Sequence, residues 1–368
     1  ALLVEQGGRV EGETEGGAQS SADDAASVGI EEHGVAMLWL SQPGVTAHAH
    51  YDKSHNFLTQ IMGRKRVLLW PPHMGPLLYP FPHSHPSYHQ SAVNFEEPDL
   101  LKFPDFDSAR ALEVMMEPGD CLYIPPYWWH RIETLSPQHV SPTAPEPPTA
   151  STQCSLALSV VSPSAEEARL ASAYWTPLPF SQKSLKAKPS ALVQVRSIAV
   201  QSFLVHLLSR LGRSPRSFAQ TLRLSRFAAL FPESGLSTLR RTSAGASGAE
   251  SSGADCFAQD AAASEKVRKG LPQKTIATAA KQIAALIDVQ ELSGTGILDV
   301  WLGDYAEELI TWAAGGSVDA VPDFLRECLV VDELPEAALE FFDDPGGGMV
   351  PGPETLLVDP KDHAGVFS

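Results

Sequence analysis

From Val35 to about Val161 the chain alternates short apolar runs with Pro, Gly and Asn turns, as in "VAMLWL", "NFLTQIMG", "RKRVLLWPP", "EVMMEPGDCLYIPP" and "CSLALSVV". Runs of this length, rich in Leu, Val, Tyr and Trp and closed by turn residues, predict an all-β domain over 34–162. Residues 136–153 ("SPQHVSPTAPEPPTASTQ") are rich in Pro, Ser and Thr and read as a solvated loop between two of its strands. At Ser162 the period changes. In "SPSAEEARLASAYW", Ser164 is followed three residues later by Glu167, a helix-start signature. Leu192, Val195, Ala199, Phe203, Leu207 and Leu211 then recur at helical spacing, and further helical patterns cover 273–289, 299–314 and 322–331. A mainly β domain followed by a mainly α region is expected.

Charge cuts the chain into blocks. It has 368 residues, 43% hydrophobic and 19% charged, enough to bury a sizeable core, with a formal net charge of -17. Residues 1–33 hold eight acids and one Arg among small residues and are expected to be disordered. Residues 181–241, within a basic helical region 163–241, hold eleven Lys or Arg and one acid. Residues 281–368, within an acidic helical region 266–368, hold eighteen acids and three bases. The small-residue stretch 242–265 between these regions reads as a linker. The opposite signs suggest helical blocks that pack on each other or on a second copy, as a homodimer, or else solvated faces of different sign. The total charge argues against the whole chain binding nucleic acid non-specifically, while the basic block keeps RNA in play.

The four cysteines lie far apart with no CxxC pair, which argues against a disulfide framework or a thiolate zinc site and favours a cytoplasmic or nuclear setting. No run of about 18 apolar residues and no leader-like start is found, so no membrane partner is expected.

Candidate chemistry concentrates in "GVTAHAHYDKSHNFLTQIMGRKRVLLWPP" and "PGDCLYIPPYWWHRIE". His50 and Asp52 form an H-x-D pair, and residues i and i+2 of a strand share a face, so both can reach one ion. His130, read as the end of an aromatic strand, can supply the third ligand. Two His and one carboxylate form the set that leaves three positions open on non-haem Fe(II). His48 is a rival on the same strand face, but only His50 completes H-x-D. His73, His83, His85 and His89 lack regular ligand spacing and are not read as a second metal site. Trp128 and Trp129 read as packing residues, and Gly119–Asp120 as the turn opening the strand of His130.

These motifs, together with "LYPFPHSHPSYHQSAVNF" and "PDLLKFPDF", make the stretch from Leu38 to Val161 resemble the JmjC and cupin-like 2-oxoglutarate oxygenases, most closely the asparaginyl hydroxylase factor inhibiting HIF. The resemblance implies a double-stranded β-helix that uses Fe(II) and 2-oxoglutarate, with His50, Asp52 and His130 binding iron. It implies that Lys65 pairs with the far carboxylate of 2-oxoglutarate. An ammonium at the start of an apolar strand needs such an anion, while Arg64 and Arg66 would face solvent. It places Asn56 near the other end of the co-substrate and Gln90 near a peptide substrate. Ala47 stands where the family has Thr, and Thr46 would reach the co-substrate if the strand carries a bulge. His89 replaces a family Arg, and Ser159 and Val161 stand where the family has Asn and Trp. Only 49 residues precede His50, so the chain is expected to lack an N-terminal strand of the family fold. The implied activity is hydroxylation of a protein side chain. The alternatives are tRNA-base hydroxylation with RNA held by 181–241, N-methyl-lysine demethylation, and a non-catalytic cupin-like binding module.

Overall fold

A computed structural model of the chain describes residues 2–3, 34–136, 154–227, 261–287, 289–292 and 294–329. The expectations for the acidic start, for nearly all of the Pro-rich loop and for the chain end fall outside them. So does the linker as far as residue 260; a helix, Ala261–Gly270, begins within its last five residues. The chain forms two compact units, Ala1–Leu69 with Ala111–Glu167, and Trp70–Arg110 with Ala168–Ser368.

The first unit is built of antiparallel strands: β1 (Leu2–Leu3), β2 (Val35–Ser41), β3 (Thr46–Tyr51), β4 (His55–Met62), β5 (Lys65–Trp70), β6 (Leu112–Met116), β7 (Cys121–Ile124), β8 (Trp129–Thr134) and β9 (Ser155–Ser162). One sheet runs β1-β2-β9-β4-β7 and the other β3-β8-β5-β6. From β2 to β9 the chain switches between the two sheets at every connection except the β5–β6 hairpin, giving two four-stranded sheets wound as a double-stranded β-helix. Leu58, Val67, Leu69, Met116, Ile124 and Ala157, drawn from both sheets, form the core between them. The strand expected to be missing before the H-x-D strand is present. It is β2, which pairs with β9 along its whole length from Val35↔Val161 to Ser41↔Ser155.

The run from Pro118 to Thr134 holds two strands rather than one. Gly119, at φ 99°, and Asp120, whose carboxylate accepts from the Glu117 N–H at 2.8 Å, turn β6 into β7. Pro125 and Pro126 cannot donate to a ladder, so β7 stops before them, and a second turn with Tyr127 at φ 62° leads into β8. His130 is thus near the start of its strand, not the end.

At the exit of β9, Ser164 caps helix α1 (Ala165–Tyr174): its Oγ accepts from the Glu167 N–H at 3.0 Å and donates to the Lys53 carbonyl at 2.8 Å. The second unit centres on α3 (Leu192–Arg210), which follows the short α2 (Gln182–Leu185). Val195, Ala199, Phe203 and Leu207 are buried at the expected helical spacing. This helix is long and apolar enough to cross a membrane, with mean hydropathy 1.3, yet 61% of it is buried within the protein. Around it lie α4 (Pro215–Leu222), α5 (Ala261–Gly270), α6 (Gln273–Leu286), α7 (Val289–Leu292), α8 (Ile297–Ala313) and α9 (Ala320–Glu327).

The oppositely charged blocks meet within this unit. Arg213 pairs with Asp299 at 2.6 Å, and Arg226 pairs with Asp304 and Glu307 at 2.7 Å each. Arg196 stacks over Trp312 at 4.3 Å. Three arginines of the basic block are thus engaged by the chain's own C-terminal helices.

Candidate metal centre

Strands β3 and β8 put His50 and His130 directly opposite one another in register, with ring centroids 4.2 Å apart. The His50 Nδ1 lies 2.7 Å from the His48 carbonyl, and the His130 Nδ1 lies 3.1 Å from the Trp128 carbonyl. A carbonyl only accepts, so Nδ1 is the donor in both imidazoles and Nε2 is the nitrogen left to meet a ligand. Asp52 stands one residue past the end of β3, and its backbone carbonyl accepts from the Tyr127 N–H at 2.6 Å, so the turn before β8 holds it. Its Oδ2 is 3.7 Å from the His130 Nε2. One potential ligand atom from each of His50, Asp52 and His130 lies within 4.8 Å of the other two. This is the one group of its kind among the described residues.

Burial, and then the neighbouring His50, push the His130 imidazole down to about 4, against the opposing pull of Asp52. It is therefore neutral near pH 7, the state a metal ligand needs. His130 is 2% exposed and Asp52 46% exposed, so the donor set is buried on one side and open on the other. Two imidazole nitrogens and one carboxylate with an open side suit Fe(II) bound as in non-haem oxygenases.

Lys65 starts β5 and is 4% exposed. Its Nζ donates to the Ser41 and Thr134 hydroxyls, each at 3.2 Å, and those hydroxyls are 2.8 Å from each other. Among the described residues it has no carboxylate partner, and burial lowers its pKa below the usual lysine range. A buried ammonium with only hydroxyl partners calls for an anion. Arg64 and Arg66 point to the other face, as expected, where they pair with Glu117 and Glu113. Asn56 lies on β4 in register with Val161, is 7% exposed, and its Oδ1 has no hydrogen-bond partner among the described residues. The fit to a dicarboxylate co-substrate rests on Lys65, a buried cation with no carboxylate partner among the described residues; the Asn56 Oδ1 is an acceptor and, like a carboxylate, needs a donor.

One expectation changes. Strand β3 does carry an extra residue, because the register steps from Ala47↔Ile132 to His50↔His130. Cross-strand partners share a face, so the bulge brings Ala47 to the side of His130 and turns Thr46 to that of Glu133. Thr46 does not join the co-substrate group. Ser159 and Val161 lie on β9, where Ser159 is buried and accepts from the Trp39 indole N–H at 3.1 Å.

Gln90 belongs to the second unit. It is exposed, its N–H donates to the Ser87 carbonyl, and its own carbonyl accepts from the Phe81 N–H, each at 2.9 Å. Ser41 and Thr134 were not singled out in the sequence. They lie 24 and 69 residues from Lys65, and no local motif marks a hydroxyl that will face a distant lysine.

Residues 13–144 match the family model described as the cupin-like domain. The chain is 39% identical over 114 residues to JmjC domain-containing protein D of Dictyostelium discoideum, covering 31% of this chain and 25% of that protein. It is 40% identical over 109 residues to HSPB1-associated protein 1 of Rattus norvegicus, covering 29% and 22%. It is 34% identical over 99 residues to lysine-specific demethylase JMJ31 of Arabidopsis thaliana, covering 26% and 18%. The chain thus spans about a quarter or less of the length of these relatives. A solved structure of YcfD, a ribosomal oxygenase from Escherichia coli, is 20% identical, with 38% of this chain and 25% of that chain covered and a TM-score of 0.21. The β unit thus has the winding of a double-stranded β-helix and is similar in sequence to cupin-like and JmjC-domain proteins.

Proposed function

We propose that the chain is an Fe(II)- and 2-oxoglutarate-dependent dioxygenase that hydroxylates a protein side chain, in the manner of the asparaginyl hydroxylases it resembles. The observation that carries this reading is the pairing, inside one β unit, of the His50–Asp52–His130 donor set with the anion-seeking Lys65. His50, Asp52 and His130 would hold the metal, each His oriented through its Nδ1–H. Fe(II) bound there supplies O2 activation coupled to oxidative decarboxylation of 2-oxoglutarate to succinate and CO2. Lys65, braced by Ser41 and Thr134, holds the far carboxylate, and the Asn56 amide orients the other end. The Leu58, Val67, Ile124 and Ala157 core keeps water from the buried side. Gln90 serves on the substrate side. A cytoplasmic or nuclear setting agrees with Cys121, Cys154 and Cys328, all free thiols.

Demethylation of N-methyl-lysine is the second reading, favoured by the relative named a lysine-specific demethylase. Both readings require succinate formation from 2-oxoglutarate with Fe(II) and ascorbate, abolished in Asp52→Ala. Hydroxylation leaves one added oxygen on a peptide, whereas demethylation releases formaldehyde. Absence of succinate from wild-type protein loaded with iron overturns both and leaves the binding-module reading.

A further inference from the structure

We propose that Arg226 and Glu307 form a latch by which helix α8 positions the segment 81–90, giving the helical region a part in presenting Gln90 to substrate. The inference rests on the reading of Gln90 as a substrate-side residue. Glu307 uses both carboxylate oxygens: Oε1 accepts from the Arg226 Nη1 and Oε2 from the backbone N–H of His83, each at 2.7 Å. The same Nη1 donates to Asp304 at 2.7 Å. The Arg226, Asp304 and Glu307 side chains are only 7%, 6% and 2% exposed. A buried guanidinium that loses its carboxylate partners is left uncompensated, so the arrangement tolerates little displacement of any member.

The far end of the latch is an irregular segment, not another helix. Segment 81–90 closes on itself through the Phe81 N–H to the Gln90 carbonyl and the Pro80↔Ser91 bridge, so holding His83 also holds Gln90. Helix α8 is shaped for this contact. A Cβ on Gly303 would stand 2.9 Å from the Arg226 Nη2, so a larger residue there would push the guanidinium from its present position. At the start of the helix, Gly296 lies against the backbone of His73, closer than any side chain allows. One helix therefore grips the insertion 70–110 at two points about 16 Å apart along its axis.

Glu307→Gln tests the latch with little change of shape, because an amide offers one oxygen where two are used. In hydrogen exchange, the amides of 81–90 should exchange at least tenfold faster in this variant, with those of β3, β8 and α3 unchanged. Asp299→Asn, which breaks the exposed pair on the same helix, should leave 81–90 as in wild type. On a peptide array probed with protein loaded with Co(II) and 2-oxoglutarate, Glu307→Gln and Gln90→Ala should lose the same peptides that wild type retains, with calorimetric binding of Co(II) and 2-oxoglutarate intact. Unchanged exchange at 81–90, or a rise spread equally over α3, overturns the latch. A wild type that retains no peptide, or a Glu307→Gln protein that retains the full wild-type set, overturns its role in substrate presentation. If Co(II) and 2-oxoglutarate do not bind wild type at all, the proposed function fails while the exchange result still decides the latch.

Discussion

His50 and His130 face each other across β3 and β8, ring centroids 4.2 Å apart, and each donates its Nδ1–H to a carbonyl two residues upstream. The two rings are thereby fixed with Nε2 directed at a common point, and Asp52 closes the third side. Replacing Asp52 with Ala removes the only anionic member. Because even groups that merely orient metal ligands are worth 10–100-fold in affinity, Co(II) binding measured by calorimetry is expected to weaken by at least about 100-fold. Binding within a few-fold of wild type would show that the ion is held elsewhere.

Acid should cost the metal-free protein stability through His130. Its folded pKa of about 4 lies below the ordinary 6.5, so between these values the unfolded chain binds a proton that the folded chain excludes. The contribution is fully present above pH 6.5 and is lost as pH falls towards 4. His130→Gln, which does not titrate, should remove this slope from the pH dependence of urea unfolding, and identical slopes in the two proteins would contradict the assignment.

Lys65 predicts alkaline sensitivity of co-substrate binding. Burial holds its pKa below 10.5, so the free site loses its ammonium at a lower pH than a surface lysine would. A carboxylate favours the charged form, so binding above the lowered pKa must take up a proton, and 2-oxoglutarate affinity should fall as pH rises before 10.5 is reached. Titrations of the Co(II)-loaded protein in buffers of different ionisation enthalpy would detect the uptake. Lys65→Ala should bind weakly at every pH and show none.

Ser164 is buried and serves two partners, the Glu167 N–H and the Lys53 carbonyl, where β9 passes into α1. Ser164→Ala should destabilise the protein by about 1–2 kcal/mol, the usual cost of an N-cap, visible as a lower urea midpoint with the slope unchanged. Ser164→Asp should recover part of the loss by restoring an acceptor for the Glu167 N–H.

Much of this architecture was legible in the chain itself. Short apolar runs between Pro, Gly and Asn turns, the Ser164–Glu167 cap and the spacing of Val195, Ala199, Phe203 and Leu207 depend on neighbours a few residues away, and each appears as a strand, cap or helix. The H-x-D pair and His130 were likewise legible, because the ligand type is written in the residue.

What the sequence alone determined is therefore the list of elements and the chemistry of the donor groups. Tertiary structure decided which groups meet. The β3 bulge that chose Ala47 over Thr46 and the meeting of the Ser41 and Thr134 hydroxyls with Lys65 follow from strand register, set by pairing between strands distant in the chain. The partners of Arg226, the buried Asp304 and Glu307, and of Arg213, the exposed Asp299, were likewise decided by the fold. A charge or hydroxyl carries no local mark of its eventual partner. Burial makes that partner energetically necessary, and burial is a property of the whole fold.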